Sequence, residues 1–217
     1  MKRSMGMLLC TVLLSAGLVE SGCASRQEGT RWTSEMLERG PGPLVAIDAQ
    51  WPDAFMEQQV EIDWGDDAQS FRAVLQKQGE LLELILLDPM GRPGFRLFQD
   101  GETVGVENFS QRSLPFEAAY ILADVQKAFG PWIAPDSASV DETTRSFCEA
   151  GLCLREERTG EHLVSRQFTR EDVDASQSVD VRYDYREGEG AVPSQVVLKN
   201  GWFHYVLRID VRHWQAL

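Results

Sequence analysis

Past the N-terminal leader, the only residues with obvious covalent chemistry are Cys148 and Cys153, at Cys-x4-Cys spacing around Glu149-Ala150-Gly151-Leu152. That stretch can turn tightly, and three outcomes are open: a disulfide across a hairpin, two free thiols, or half of a metal site. The metal reading needs two more ligands, and the nearest histidine, His162, stands alone, so no metal is expected. His162, His204 and His213 fall on or near strand-like runs without helical pairing, and His204 takes the polar parity of its run. Asp66-Asp67 and Glu156-Glu157 are adjacent in sequence, so on a strand they point to opposite faces instead of converging as a general acid/base pair. They read as turn or surface charge. Gly-x-Ser-x-Gly, His-Glu-x-x-His, Cys-x-x-Cys and phosphate-cradling glycine loops are absent. No catalytic residue and no cofactor are expected, and the protein reads as a non-enzyme.

A fourth cysteine chemistry lies at the N-terminus. Lys2 and Arg3 precede an apolar run, Met7 to Val19, and Ser21-Gly22 lead into Cys23. A basic tip, a short apolar core and small residues before a cleavage point describe a secretory signal. The run is too short for the ~20 apolar residues that cross a bilayer. A cysteine directly after the small pair is the lipoprotein form of this signal, in which Cys23 is acylated and becomes the mature N-terminus. Glu20 occupies the place where such signals usually carry Leu, and an ordinary signal peptide with an incidental cysteine is the alternative. Ala24 and Ser25 lack the Asp that retains lipoproteins at the inner membrane. The expected address is therefore the periplasmic face of the outer membrane of a Gram-negative cell.

The chain has 21 basic and 34 acidic side chains, a net charge of −13, and loss of residues 1–22 makes it one unit more negative. Such a chain is repelled by nucleic acid and by anionic head groups. Membrane contact therefore falls to the acyl groups on Cys23. We divide the chain into a signal peptide (1–22), a lipidated Cys23 with a polar tether (23–43) and one domain (44–217), expected to be a monomer. The tether holds a short helical turn over Ser34 to Arg39, stopped by Gly40-Pro41-Gly42-Pro43.

From residue 44 to about 110 the hydrophobic period is two. Val60, Ile62 and Trp64 alternate with Glu61 and Asp63; Phe71 and Leu75 share one face; Leu82, Leu84 and Leu86 share another; Phe95 and Leu97 flank Arg96. Short alternating runs between Gly, Asp and Pro turns predict an antiparallel meander with one buried face. The period then switches. Pro115 opens and Gly130-Pro131 closes a helical stretch. Its apolar stripe holds Ala118, Ile121, Leu122, Val125, Ala128 and Phe129, with Glu117, Asp124 and Lys127 on the opposite face. Strand patterns resume to the end, the last one carrying Phe203, Tyr205, Leu207 and Ile209. Lys199-Asn200-Gly201 reads as its hairpin turn.

The chain turns from Leu84-Ile85-Leu86-Leu87 through Asp88-Pro89-Met90-Gly91 into Phe95-Arg96-Leu97-Phe98. Pro89 and Gly91 restrict that loop to a few shapes. Met90 stands at its tip, either folded back on the sheet edge or exposed to an apolar partner. This segment, Asp100-Gly101-Glu102-Thr103-Val104, the helix after it, and Val196-Val197-Leu198-Lys199-Asn200-Gly201 before Tyr205 to Asp210 and Trp214 resemble LolB, the outer-membrane receptor that accepts lipoproteins from a periplasmic carrier. The order of elements over 44–214 is closer still to a family of bacterial lipoproteins encoded beside aryl polyene biosynthesis genes. The resemblance implies a mainly β (α+β) fold: a curved antiparallel half-barrel with helices covering its concave face over an apolar cavity. It implies that Pro89, Met90 and Gly91 form a membrane- or partner-contact loop, with Met90 where LolB has Leu. A periplasmic carrier protein is an implied partner.

Two functions follow. In the first, the protein binds or transfers an acyl or polyene lipid, or a lipoprotein. The cavity is lined by the inward parities, Val60, Ile62, Trp64, Phe71, Leu75, Leu82, Leu84, Leu86, Phe95, Leu97, Phe203, Tyr205 and Leu207, with Leu122 on the helix. In the second, it is an anchored scaffold with a solid core, contacting a protein through acidic turns such as Glu171, Asp172 and Asp174. Parity marks a buried face in both and does not separate them.

Overall fold

The structure, a computed structural model, describes residues 25–31, 44–47, 51–110, 112–114, 117–132, 139–140, 143–149, 151–172, 174–186 and 192–217. The signal segment, Cys23 and the helical turn expected over 34–39 lie outside the described residues.

Alternation of side chains dictates the main element. In β2 (Ala54–Trp64), Ala54, Met56, Gln58, Val60 and Ile62 are buried while Glu57 and Glu61 are exposed. Strands with this period bury one face and pair through the other groups of the backbone. The strands flanking it in sequence are β1 (Ser25–Arg31), β3 (Asp67–Gln78), β4 (Leu81–Leu87), β5 (Pro93–Asp100) and β6 (Thr103–Asn108). After the helix come β7 (Ser139–Val140), β8 (Thr144–Glu149), β9 (Leu152–Thr159), β10 (His162–Arg170), β11 (Val179–Asp184), β12 (Gln195–Asn200) and β13 (Tyr205–Ala216). All join one antiparallel sheet in the order β1-β6-β5-β4-β3-β2-β13-β12-β11-β10-β9-β8-β7. Ser25–Arg31, within the range read as tether, pairs along β6 as an edge strand.

The helix α1 (Ala118–Phe129) ends where Gly130-Pro131 removes the next helical positions, and the Gly130 amide donates to Gln126 O. It packs against β5 and β6 on one side and β12 on the other. In strand order β5 and β12 are separated by β4, β3, β2 and β13. Five steps of ~4.8 Å amount to about 24 Å of sheet, more than twice the ~10 Å width of a helix. The sheet must therefore curl around α1, which lies inside the concavity. The fold is mainly β, one large open antiparallel sheet holding this helix, as expected; the described residues contain this single α-helix and a 3-10 turn at Ala175–Gln177.

The curl accounts for two departures from the sequence reading. Asp124 and Lys127, expected on a solvated helix face, are 3% and 0% exposed, because walls surround the helix on more than one side. Likewise Glu156, expected at the surface, is buried against Arg166, whose Nε donates to it at 2.7 Å; Glu157 is exposed. The last hairpin also differs. Asn200 is the final residue of β12, and a four-residue turn, Gly201 to His204, carries the chain round, with His204 at φ 56°. Asn200 Oδ1 accepts from the amides of Trp202 and Phe203, so its side chain builds the turn from the strand end. Phe203 therefore sits in the turn, outside β13.

One glycine is set by close packing. Gly105 on β6 pairs with Phe98 on β5, on the convex face, where the Phe98 ring covers it and the Arg96 guanidinium lies 4.8 Å from the ring centroid. A Cβ at Gly105 would overlap that ring. Gly105→Ala is expected to lower the unfolding free energy by about 1–3 kcal/mol, the cost of overpacking, measured by urea denaturation.

Candidate ligand-binding site

Because α1 is held against β5, β6 and β12, the central strands face it across a gap. That gap is a cavity of about 770 Å³. Its floor on β2 is Val60, Ile62 and Trp64, continued by Phe71 and Ala73 on β3, Leu84 and Leu86 on β4, and Phe95 on β5. Tyr205, Leu207 and Ile209 of β13 form the adjoining wall, and Ile121 and Val125 of α1 the roof. Register explains the continuity: Leu207 pairs with Ile62, Val60 with Phe71, and Leu86 with Phe95.

The structure thus brings Val60, Ile62, Trp64, Phe71, Leu84, Leu86, Phe95, Tyr205 and Leu207 together around one space. Leu75, Leu82, Leu97 and Leu122 are packed in the solid part of the core with Ile47 and Trp51. Phe203 lies outside, 36% exposed, its ring 5.0 Å from that of Tyr120.

The lining also includes ten polar or charged residues, eight of them half-buried or exposed, among them Gln59, Arg72, Asp88 and Ser110. Exposed Gln69, Ser70, Pro89, Arg112 and Ser113 edge the opening. Two polar lining groups are buried, Gln58 and Asp124, and the sequence reading assigned neither to the site. Asp124 accepts from the Tyr205 hydroxyl and, at 3.4 Å, from Asn200 Nδ2. Burial raises the Asp124 carboxyl above its ordinary pKa, against the opposing pull of Lys127. Burial lowers Lys127 in turn, and its Nζ has a 3.4 Å contact to Ala123 O and lies 5.9 Å from the Phe168 ring centroid. On that same side Arg166 donates to Lys127 O and Tyr183 to Ala128 O, at 3.0 and 2.9 Å. Burial pushes the Tyr183 hydroxyl up to about 12, so it stays a donor. Opposite, Gln126 Nε2 donates to Val45 O and to Gln99 Oε1, and Val45 N donates back to Gln126 Oε1. The helix is pinned on each flank.

The β4–β5 turn stands at the opening. Asp88 Oδ1 accepts from the amides of Met90 and Arg92, Asp88 O accepts from Gly91 N, and Asp88 Oδ2 pairs with Arg92. Those bonds, led by the one from the Arg92 amide, hold the Asp88 carboxyl below its ordinary range. Gly91 takes φ 80°, the left-handed conformation that closes the loop. Pro89 lines the cavity while Met90 is 78% exposed, pointing away from the sheet edge. Phe109, 48% exposed, follows the end of β6, beside the start of β5, where its amide donates to Gly94 O.

Cys148 and Cys153 face each other across β8–β9 and are joined as a disulfide. Glu171 Oε1 lies 4.0 Å from Cys153 Sγ. With both sulfurs in the bridge, this cluster offers no thiolate to a metal. No helix among the described residues is long and apolar enough to cross a membrane.

The family described as "Protein of unknown function (DUF3261)" matches residues 56–211. Among solved structures, the chain is similar to the LolA superfamily protein NE2245 from Nitrosomonas europaea, with TM-score 0.47 and 11% identity over 85% of this chain and 93% of that one. It is also similar to a putative outer membrane lipoprotein-sorting protein domain from Vibrio parahaemolyticus, with TM-score 0.47 and 8% identity over 78% and 87%. No curated protein matches the sequence.

The Asp124 environment carries a pH signature. A carboxyl whose pKa is higher folded than unfolded takes up a proton on folding, so its contribution to stability is full below the ordinary value of 3.8 and is lost as pH rises through the raised folded value. Asp124→Asn removes this dependence. Denaturant unfolding over a pH series is expected to show the wild type gaining stability relative to Asp124→Asn as pH falls toward 4; parallel profiles would refute it.

Proposed function

The chain belongs to the DUF3261 family, and from the cavity we propose that it binds an elongated apolar ligand, an acyl or polyene lipid chain, between α1 and the central strands, without catalysis. The observation that carries this reading is the apolar space itself. About half of its lining residues are Leu, Ile, Val, Phe or Trp, with most of the polar ones toward solvent, and a folded core normally closes such space to near-crystalline density. A solid-cored scaffold has no use for it.

Size narrows the ligand. At ~30 Å³ per non-hydrogen atom, the share of one molecule in liquid water, the cavity holds about 25 such atoms. One long chain with a small head group fills it, whereas the several chains of a lipoprotein anchor do not. Each buried methylene contributes roughly 0.8 kcal/mol, so a single chain supplies enough binding energy without a charged anchor. The other half of the proposal is place. An acylated Cys23 would hold the protein at the periplasmic face of the outer membrane, and the exposed Met90 tip beside the opening would meet the bilayer or a carrier protein.

Filling the cavity should separate binding from folding. Leu84→Trp, from a side chain that is 4% exposed and lines the space, is expected to cut uptake of a long-chain fatty acid at least tenfold while circular dichroism shows the sheet intact. Wild-type protein that neither carries lipid on purification nor takes up acyl or polyene chains in native mass spectrometry would overturn the reading.

The tip is tested apart from the cavity. Met90→Glu is expected to leave uptake unchanged and to slow release of bound lipid into phospholipid vesicles severalfold, followed by a fluorescent fatty-acid transfer assay. Equal transfer rates would remove Met90 from the path.

A further inference from the structure

Gln58 is the polar residue in the cavity wall whose hydrogen bonding is left incomplete. It sits at an inward position of β2, sharing parity with Val60 and Ile62, and is 3% exposed. Its neighbours across the sheet are Ala73 on β3 and Val211 on β13, both apolar. A primary amide offers two donor hydrogens and two acceptor lone pairs. Among the described residues the Gln58 amide makes one weak contact, Nε2 to the thioether sulfur of Met56 at 3.8 Å, and Oε1 accepts nothing. Asp124, the other buried polar group of the lining, is by contrast bonded to Tyr205 and Asn200. A buried amide left this way costs free energy unless something in the cavity bonds to it. The small Ala73 side chain beside it leaves room for that partner.

We propose that Gln58 is a specificity residue: it hydrogen-bonds a polar group, a hydroxyl or carbonyl, carried into the cavity on the ligand. The inference rests on the lipid-binding reading and sharpens it from an apolar chain to a chain with a hydrogen-bonding group on its buried part. Leu or Met at position 58 would serve a purely hydrocarbon ligand better, since neither leaves an unpaired donor in the wall.

The test uses the purified full chain, stripped of co-purifying lipid and loaded from cyclodextrin with an equimolar mixture of 1-hexadecanol and hexadecane. Native mass spectrometry reads the bound ratio of alcohol to alkane for wild type, Gln58→Leu and Gln58→Met. The two variants preserve volume in different shapes, so at least one folded comparison is obtained. The ratio is expected to fall about fivefold or more in the variants, the worth of one ordinary hydrogen bond. Binding of both probes with the same ratio in wild type and variants would overturn the role of Gln58, because water would then satisfy the amide equally well. Binding of neither probe to any of the three would overturn the lipid-binding reading beneath it.

Discussion

Everything in this fold depends on how α1 is suspended. A helix inside a curled sheet could slide toward any wall, and van der Waals attraction favours closing the gap. Directional bonds oppose that. Gln126 ties the helix to Val45 and Gln99 on one flank; Asp124 ties it to Tyr205 and Asn200 on another; Arg166 and Tyr183 hold the carbonyls of its last turn. Each bond contributes only about 0.5–1.5 kcal/mol net, but moving the helix would leave several buried partners unpaired together. Displacing the helix would cost those pairings, which opposes closure of the space under Ile121 and Val125.

The pins also divide the interior in two. Toward β9, β10 and β11, the charged groups Lys127, Arg166 and Glu156 are buried with Phe168 and Tyr183, and that side is solid. A buried ion pair is a weak source of stability, but Arg166, held by Glu156, bonds Lys127 O and so ties the last turn of the helix to β10. Toward β2, β3 and β4 the buried lining is hydrocarbon apart from Gln58. A lipid chain needs the second kind of surface and a rigid frame needs the first.

The sheet was legible because period two reports a buried face directly: Val60, Ile62, Leu84 and Leu86 sit inward as their parity requires. Parity does not report what lies across from that face. Leu82 and Leu84 carry the same signal, yet one is packed solid and the other lines the cavity. The helix misled for the same reason. Asp124 and Lys127 fall opposite its apolar stripe, which marks a solvated face on a flat sheet and a second wall inside a curled one. Gln58 did carry a readable sign, a polar residue at an apolar parity between Met56 and Val60, but it becomes informative only once the space beside it is known. The hairpin at Asn200 was misplaced by two residues because Asn-Gly is a turn signal by backbone preference, whereas here the Asn200 side chain serves the turn and Asp124 at once.

The β4–β5 turn joins the interior to the surface. Its shape is dictated internally, by Asp88 bonding the amides of Met90 and Arg92 and by the positive φ of Gly91, so an apolar side chain is presented without support from the sheet. Hydrophobic collapse would fold a methionine on a slack loop inward. A turn closed by its own carboxylate cannot fold that way without breaking several hydrogen bonds for the burial of one side chain, worth about 1.5–3 kcal/mol. Pro89 at the edge of the opening and Met90 in solvent are consecutive residues of this turn. On the proposed lipid-binding reading, a chain leaving the cavity would meet Pro89 and then Met90.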